Sequence, residues 1–561
     1  MGKTISQLLR IIDGRGYKAY KSLVGAVEPL GNLWVRVARV QGDPFAPPSV
    51  LEVEVRGARV PVETDPVPLA DYLHRLMAET VPMHSMSHVG EGNSGKLQVP
   101  RPSPIVIPRS AVEARRGRDG RCNLLFRAWV GLPSRGRKVL GDVAEELLLR
   151  RLPRAVLGVV ESLERDSGRL REHAMAWVEQ ESIRKTLPSL GLVGFIGDGS
   201  ILPRRCGGCW EPLENAVPFE SPPSLRVEIE LPTGRIVAGM GVPRGVTTIT
   251  GPAFHGKTTL AEALASGVWN HVPGDGRELV VSDSALVYVE SENGRWVSCV
   301  DVSPFIEHLP GHSDTGCFST SDASGATSIA ASVQEYAEAG ASGFIIDEDQ
   351  AATNMLHRDA WAEEITGKRT LNPLSEMAPR LSEAGISLVI VASGALPLLA
   401  SSDRIVVMDE FRARDATFKR SDAERVLREM GYARIAGKYS RPARRILEKP
   451  FRIEKPKVRG FMLESRSLRD RPDLRPMRQI MEEQQATTAV RVAASIADGR
   501  CVDLVEKAWE ASRRLWEWDY SFLPGAPGPD ISYVRPFEIL FVVNRLPGLK
   551  VCHSRYCRER C

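Results

Sequence analysis

The stretch GVTTITGPAFHGKTTLAEALASGVWNH, residues 245–271, decides the fold. It opens on β-branched residues, which favour a strand, and closes on TTLAEALASGVWNH, whose apolar residues recur with a helical period. Between them lie Gly251, Pro252, Ala253, Phe254, His255, Gly256, Lys257, Thr258 and Thr259. They match G-x-x-x-x-G-K-[ST] in the strand–turn–helix setting that the motif requires. Backbone N–H groups of such a loop, with the positive end of the helix behind it, form a cradle for phosphate oxygens. Lys257 is placed to bridge β- and γ-phosphates and the Thr258 hydroxyl to hold Mg²⁺, so the expected cofactors are ATP and Mg²⁺.

Further along, GFIIDEDQ (343–350) reads as a buried strand that delivers carboxylates to the C-terminal edge of an open α/β sheet, where nucleotides sit. Asp347 is the expected second Mg²⁺ residue. Glu348 and Lys257 are the expected catalytic pair, with Glu348 orienting and polarising the attacking water. Asp349 falls on the other face of a strand end and is the weaker candidate for the base. Between the two motifs, Ser324, Gly325, Ala326 and Thr327 open a helix running through SIAASVQEYAEAG. A small, hydroxyl-bearing helix N-terminus is another anion site.

Working outward, two hairpin signals flank the phosphate loop: LRVEIELPTGRIVAGM, turning at Thr233-Gly234, and ALVYVESENGRWVSCV, turning at Asn293-Gly294. They predict a small antiparallel sheet beside the parallel one. Three regions are expected: an α+β N-terminal domain over 1–215, an α/β core over 216–415, and a basic, mostly helical region over 416–561. The first has a strand at Val50–Val55, a helix over Gly141–Arg151 and a loop-rich end. In the last, Ser421 with Glu424 has the form of a capping box.

The chain has 561 residues, a hydrophobic share of 43% and a charged share of 26%, which excludes wholesale disorder. There is no apolar run long enough to span a bilayer and no secretory signal, so a cytoplasmic location without a membrane partner is expected. The net charge of +4 is unevenly spread. Residues 411–459 carry 16 basic against 6 acidic side chains, and residues 101–154 carry 13 against 5. Such concentration suits a polyanion. Arg115, Arg116, Arg118, Arg135, Arg137, Lys138, Arg444 and Arg445 are the expected nucleic-acid contacts, RNA before DNA. Tyr432, Tyr439 and Phe451 stand among basic residues as stacking candidates. The alternative is a solvated arginine-rich surface. The block Arg15–Lys21 alternates base and aromatic, and here the structural reading is favoured.

Nine cysteines are too few for a disulfide scaffold in a chain of this length. Cys206 and Cys209, with Cys552, His553, Cys557 and Cys561, could supply zinc ligands, but the spacing of the C-terminal group is unlike a zinc pattern. Free thiols or a terminal disulfide are the expected state.

In its motifs the chain resembles the stand-alone predicted ATPases of the ABC class, which lack membrane domains. The likeness runs through DGRGYKAYK (13–21), QGDPFAPPS (41–49), GLPSRGRKVLG (131–141), GLVGFIGDGSILPR (191–204), HGKTTL (255–260), HVPGDGRE (271–278), DVSPFIEHLP (301–310), FSTSDASGATS (318–328), IIDED (345–349) and RPFEILFVVNRL (535–546). The resemblance implies a P-loop fold of ABC type, a mixed sheet with an antiparallel β subdomain, and a head-to-tail homodimer with ATP between the copies. In that dimer Ser324–Thr327 form the signature loop that caps the γ-phosphate bound by the other protomer. Thr353 and Asn354, after Ala351-Ala352, form a partner-facing loop. RNA binding is also implied.

Where transporter ATPases carry a switch histidine after the next strand, SLVIVAS ends here in Ser393-Gly394. His255 and His357 are the candidate substitutes. Two other readings compete. A P-loop kinase would use Lys257 and Asp347 equally, and a nucleotide-gated binding protein would hydrolyse negligibly.

Overall fold

The computed structural model describes all residues except 1–2, 88, 118–119, 312–313, 359–364, 366–369, 432–437 and 555–561. Arg118, Tyr432, Cys557 and Cys561 therefore lie outside the described residues. The chain forms two compact units: Met1–Trp177 with Arg513–Tyr533, and Val178–Ser512 with Val534–Cys561. This packing draws different boundaries from those expected near 215 and 415. Leu192–Gly197, placed by composition in the N-terminal region, pairs with Ile236–Pro243 and Val280–Ser282 in the second unit.

The N-terminal unit is built on a six-stranded sheet in which Ser49–Ala58 and Cys122–Val130 pair centrally and antiparallel. Strand Leu33–Arg39 shows the reason: its apolar residues alternate inward as LWVRVAR requires. Helix Pro66–Met83 buries Asp71, which receives Arg75 at 2.8 Å, Arg109 at 2.5 Å and His173 at 3.0 Å. Burial alone would raise this carboxyl, but the Arg75 charge, the hydrogen bond from His173 and the Arg109 charge outweigh burial and hold it well below the usual range. Tyr17 and Tyr20 are buried and donate to the carbonyls of Leu132 and Pro133, so the block Arg15–Lys21 packs its aromatic residues inward.

The second unit holds a six-stranded sheet. In chain order its elements are β1 (Val246–Thr250), α1 (Lys257–Ser266), β2 (Leu286–Tyr288), α2 (Gly325–Glu338), β3 (Gly343–Asp347), β4 (Ser387–Val391), β5 (Arg404–Asp409) and β6 (Arg412–Asp415). The strand order is β2-β3-β4-β1-β5-β6, parallel except for the last pair. Every residue of β1, β3 and β4 is buried, as expected of parallel strands covered on both faces. A four-stranded antiparallel sheet accompanies it, containing the hairpin Arg226–Glu230 with Ile236–Pro243. Gly234 takes φ +77° at that turn.

Two local expectations are corrected. Asn293-Gly294 does not close a hairpin: β2 joins the parallel sheet, while Val297–Val300 pairs with Phe318–Thr320. The turn instead exchanges backbone hydrogen bonds with Ala323, through Gly294 N–H and Arg295 C=O. Ser421 is not a cap either. Its helix starts at Arg420, and its hydroxyl donates to the Phe418 carbonyl. Among the described residues no helix is long and apolar enough to cross a membrane.

Candidate nucleotide site

The loop from Gly251 to Gly256 leaves β1 and enters α1 as its sequence demands. Two glycines are obligatory. At Gly251, with φ +134°, an added Cβ would lie 2.1 Å from the Met408 carbonyl, and Gly256 sits at φ +93° just before α1. Phe254 also has positive φ, +67°, and is 95% exposed at the loop tip. Lys257 is buried and its ammonium donates to the carbonyls of Gly251 at 2.9 Å and Pro252 at 2.8 Å. These contacts hold the cation inside the curve of the loop.

Asp347 ends β3, two strands from β1 with β4 between. The Thr258 hydroxyl donates to Asp347 Oδ2 at 2.6 Å, joining the two expected Mg²⁺ residues across the sheet edge. A hydroxyl and a carboxylate of this kind fit a hard cation that keeps most of its waters. The missing Cβ at Gly251 lets the adjacent loop pack directly against the Met408 backbone of β5.

Burial raises the Asp347 carboxyl and the neighbouring Asp349 charge adds to this, against the lowering by Thr258, the Asp349 N–H and Lys257. A folded-state value above the unfolded one means that ionised Asp347 costs stability, and that cost vanishes as pH falls through the raised value. Asp347→Asn is therefore expected to raise the melting temperature of nucleotide-free protein at neutral pH while removing Mg²⁺-dependent nucleotide binding. Thermal melts across pH check this, and the advantage should shrink on acidification.

Glu348 lies just beyond the strand. Its Oε2 accepts the Ser393 N–H at 2.6 Å, and His357 Nε2 is 3.8 Å from Oε1. The end of β4 thus orients the carboxylate, a role that composition gave no hint of. The signal was register, since Val391 pairs with Asp347. Asp349 is exposed. Of the two candidate substitutes for a switch histidine, His357 faces Glu348. His255 Nδ1 accepts the Glu410 N–H at 2.8 Å, which ties it to the β5–β6 turn.

Ser324 caps α2 and is exposed, accepting the Thr327 N–H at 3.3 Å. Gly325 is half-buried, while Ala326 and Thr327 are buried, so the first two residues present the accessible tip. A Cβ on Gly325 would lie 2.6 Å from Ser291 Oγ and 3.2 Å from Ala352 Cβ. Residues 324–327 and the segment after Glu348 therefore sit side by side, and Thr353 and Asn354 are exposed on that segment. Behind them, α2 is anchored by buried ion pairs that were not foreseen. Glu335 meets Arg295 at 3.0 Å and Arg545 at 3.7 Å, and Arg545 also pairs with Glu292.

Among the proposed nucleic-acid contacts, Arg135, Arg137 and Lys138 are exposed on the hairpin Ser134–Val139. Arg115 and Arg116 are exposed on Val112–Arg116, and Arg444 is largely exposed beside Asp503. Arg445 must be withdrawn. It is 3% exposed and its guanidinium is used by Glu338, Ser298 and Asn544 inside the fold. Tyr439 is likewise buried, donating to Gln334. A cleft of about 930 Å³ on the N-terminal unit is lined by Arg115 and three other arginines, but equally by four carboxylates. That balance gives a polyanion no advantage there. Cys206 and Cys209 form a disulfide.

A P-loop domain model, ABC_ATPase, matches residues 166–444, and a model described as "ATPase of the ABC class N-terminal" matches residues 3–163. An uncharacterized protein of Methanocaldococcus jannaschii, MJ1628, is 31% identical over 277 residues. That alignment covers 46% of this chain and 60% of the relative's length. Among solved structures, cbiO1 from Clostridium perfringens, part of the ABC transporter complex cbiONQ, aligns at 16% identity and a TM-score of 0.24. The match covers 37% of this chain and 94% of that one.

Proposed function

The chain belongs to the ATPases of the ABC class that carry a dedicated N-terminal domain, and from that premise we propose that it hydrolyses Mg²⁺-ATP at the interface of a head-to-tail homodimer. The observation that carries the reading is the meeting of two distant motifs, Thr258 against Asp347 at 2.6 Å, with Glu348 fixed beside them by Ser393.

The loop N–H groups and Lys257 bind the phosphate chain and orient its γ-end. Thr258 and Asp347 would hold Mg²⁺, which supplies charge neutralisation on the phosphates. Glu348 aligns water and takes up its proton as the new P–O bond forms and the bond to ADP breaks. The exposed Ser324 and Gly325 of the second protomer close over the γ-phosphate with hydroxyl and backbone N–H donors.

The test is phosphate release from ATP with Mg²⁺ and no added acceptor. Turnover is expected under those conditions, whereas turnover that appears only when a small-molecule acceptor is supplied would establish the kinase reading instead.

The work is proposed to be done on nucleic acid, RNA before DNA. The supporting observation is the hairpin Ser134–Val139, which exposes Arg135, Arg137 and Lys138 on one short element. Replacing these three with alanine is expected to weaken single-stranded RNA retention in filter binding. The log–log salt dependence should flatten by about 0.7 for each phosphate that the variant no longer neutralises. Retention indifferent to both the variant and the salt would remove the nucleic-acid reading while leaving the ATPase site as described.

A further inference from the structure

The hairpin that feeds the signature segment carries two cysteines. Cys299, in Val297–Val300, is buried, and Cys317 lies immediately before Phe318–Thr320; the two are joined in a disulfide. A third residue comes to them from far along the chain. His553 closes the strand Val551–His553, is 8% exposed, and is positioned by the pairing of that strand with Arg445–Leu447.

Its ring orientation is decided by one contact. Nε2 lies 2.8 Å from the Gly316 carbonyl, and a carbonyl can only accept, so Nε2 bears the proton. The lone pair of the neutral ring is therefore on Nδ1. That atom is buried and makes no hydrogen bond among the described residues. An unpaired buried imidazole nitrogen costs free energy, and such a group calls for a partner. A ring nitrogen of His553 and the sulfurs of Cys299 and Cys317 all lie within 4.8 Å of one another.

We propose that Cys299, Cys317 and His553 form a binding site for a thiophilic divalent cation of the Zn²⁺ type when the cysteine pair is reduced. Two thiolates and an imidazole are a ligand set that such cations take, with the fourth tetrahedral position left to solvent on the more open Cys317 side. The hydrogen bond from Nε2 to Gly316 is the outer-sphere contact that ligating histidines characteristically make.

The chemistry balances. A dithiol reductant gives two electrons and two protons to the disulfide and closes its own disulfide. The cation then displaces the two thiol protons to solvent, while His553 binds as the neutral ring without proton loss. The pair thus has two cross-linked states, disulfide and metal-bridged, and one open dithiol state. Cys317 is seven residues ahead of Ser324, so the state of this clip bears on the segment that presents the signature tip. The site itself does not depend on the ATPase reading.

The experiment uses the full chain with Cys206, Cys209, Cys552, Cys557 and Cys561 changed to serine, which removes the other grouped cysteines. The protein is reduced with a dithiol, freed of metal with a chelator and titrated with Co²⁺ under inert gas. One cobalt per chain is expected, with thiolate-to-cobalt charge-transfer absorption and the intense visible bands of a tetrahedral ion, displaced by Zn²⁺. Changing Cys299 and Cys317 to serine should abolish the signal. His553→Gln should weaken cobalt affinity by at least ~10-fold and alter the visible bands, because two thiolates remain without the imidazole. Circular dichroism confirms that each variant is folded, and His553→Asn serves as a second replacement. The proposal is overturned if reduced protein shows no thiolate–cobalt band, or if the band survives loss of Cys299 and Cys317 or is unmoved by both His553 variants.

Discussion

Changing Glu348 to Gln is expected to lower ATP hydrolysis by ~10²- to 10⁴-fold while leaving ATP affinity nearly unchanged. In barrier terms this is about 3–5 kcal/mol, the share a positioned general base contributes to proton transfer. Glutamine is nearly isosteric, so it can still accept the Ser393 N–H that holds Glu348 at 2.6 Å. The loss is therefore of charge and basicity rather than of position. Because nucleotide still binds and is no longer consumed, the same variant should accumulate the ATP-bound assembly. Single-turnover phosphate release and nucleotide binding measured side by side check both halves. A protein that only gates on nucleotide would show the same low turnover before and after the change, which is the outcome that separates the two readings.

The second large effect is expected at Ser324. The residue is exposed, so Ser324→Arg should still fold, less the cap of α2 at a cost of about 1 kcal/mol, yet its bulk and charge occupy the place where hydroxyl and backbone donors meet the γ-phosphate of the other protomer. Hydrolysis should fall to the level of Lys257→Ala, although the two positions differ in what they disturb. Lys257 is buried against Gly251 and Pro252 and its loss strikes ATP binding itself. Ser324→Arg should leave binding to the isolated protomer largely intact. Equilibrium nucleotide binding at low protein concentration distinguishes the lesions.

How much of this was legible without coordinates follows from the range of each interaction. The phosphate loop was readable because its determinants are local: a β-branched strand, glycines required by positive φ, and a helix that starts at Lys257. The strand ending at Asp347 was readable because burial on both faces demands a continuous apolar run. Asn293-Gly294 misled because the dipeptide specifies a turn, not the strands on either side, and β2 gains more from the parallel sheet. Ser421 misled in the same way. Its hydroxyl is satisfied by the carbonyl of Phe418, and the helix begins at Arg420 with Lys419 in the cap position, two residues before a cap at Ser421 would start it.

Long-range pairings lay beyond reach. Arg445 looked like one more base in a positive segment until Glu338 and Asn544 were seen to surround its guanidinium. The same applies to the Ser393 N–H on Glu348, to the arginine–glutamate network behind α2, and to His553 meeting a cysteine pair. Composition reports which groups a segment holds, and it is silent on whether the fold turns them outward or spends them on one another.

The account stands on one arrangement, a nucleotide site completed by the helix tip of a second copy, and mixing two inactive variants tests it most directly. Lys257→Ala and Ser324→Arg proteins are combined, allowed to exchange subunits, and assayed for Mg²⁺-dependent phosphate release. A mixed dimer pairs one doubly damaged site with one intact site, so random exchange should restore about a quarter of the wild-type rate if the sites act independently. A mixture as inactive as its two components, or a Ser324→Arg protein that already hydrolyses ATP at the wild-type rate alone, would contradict the arrangement.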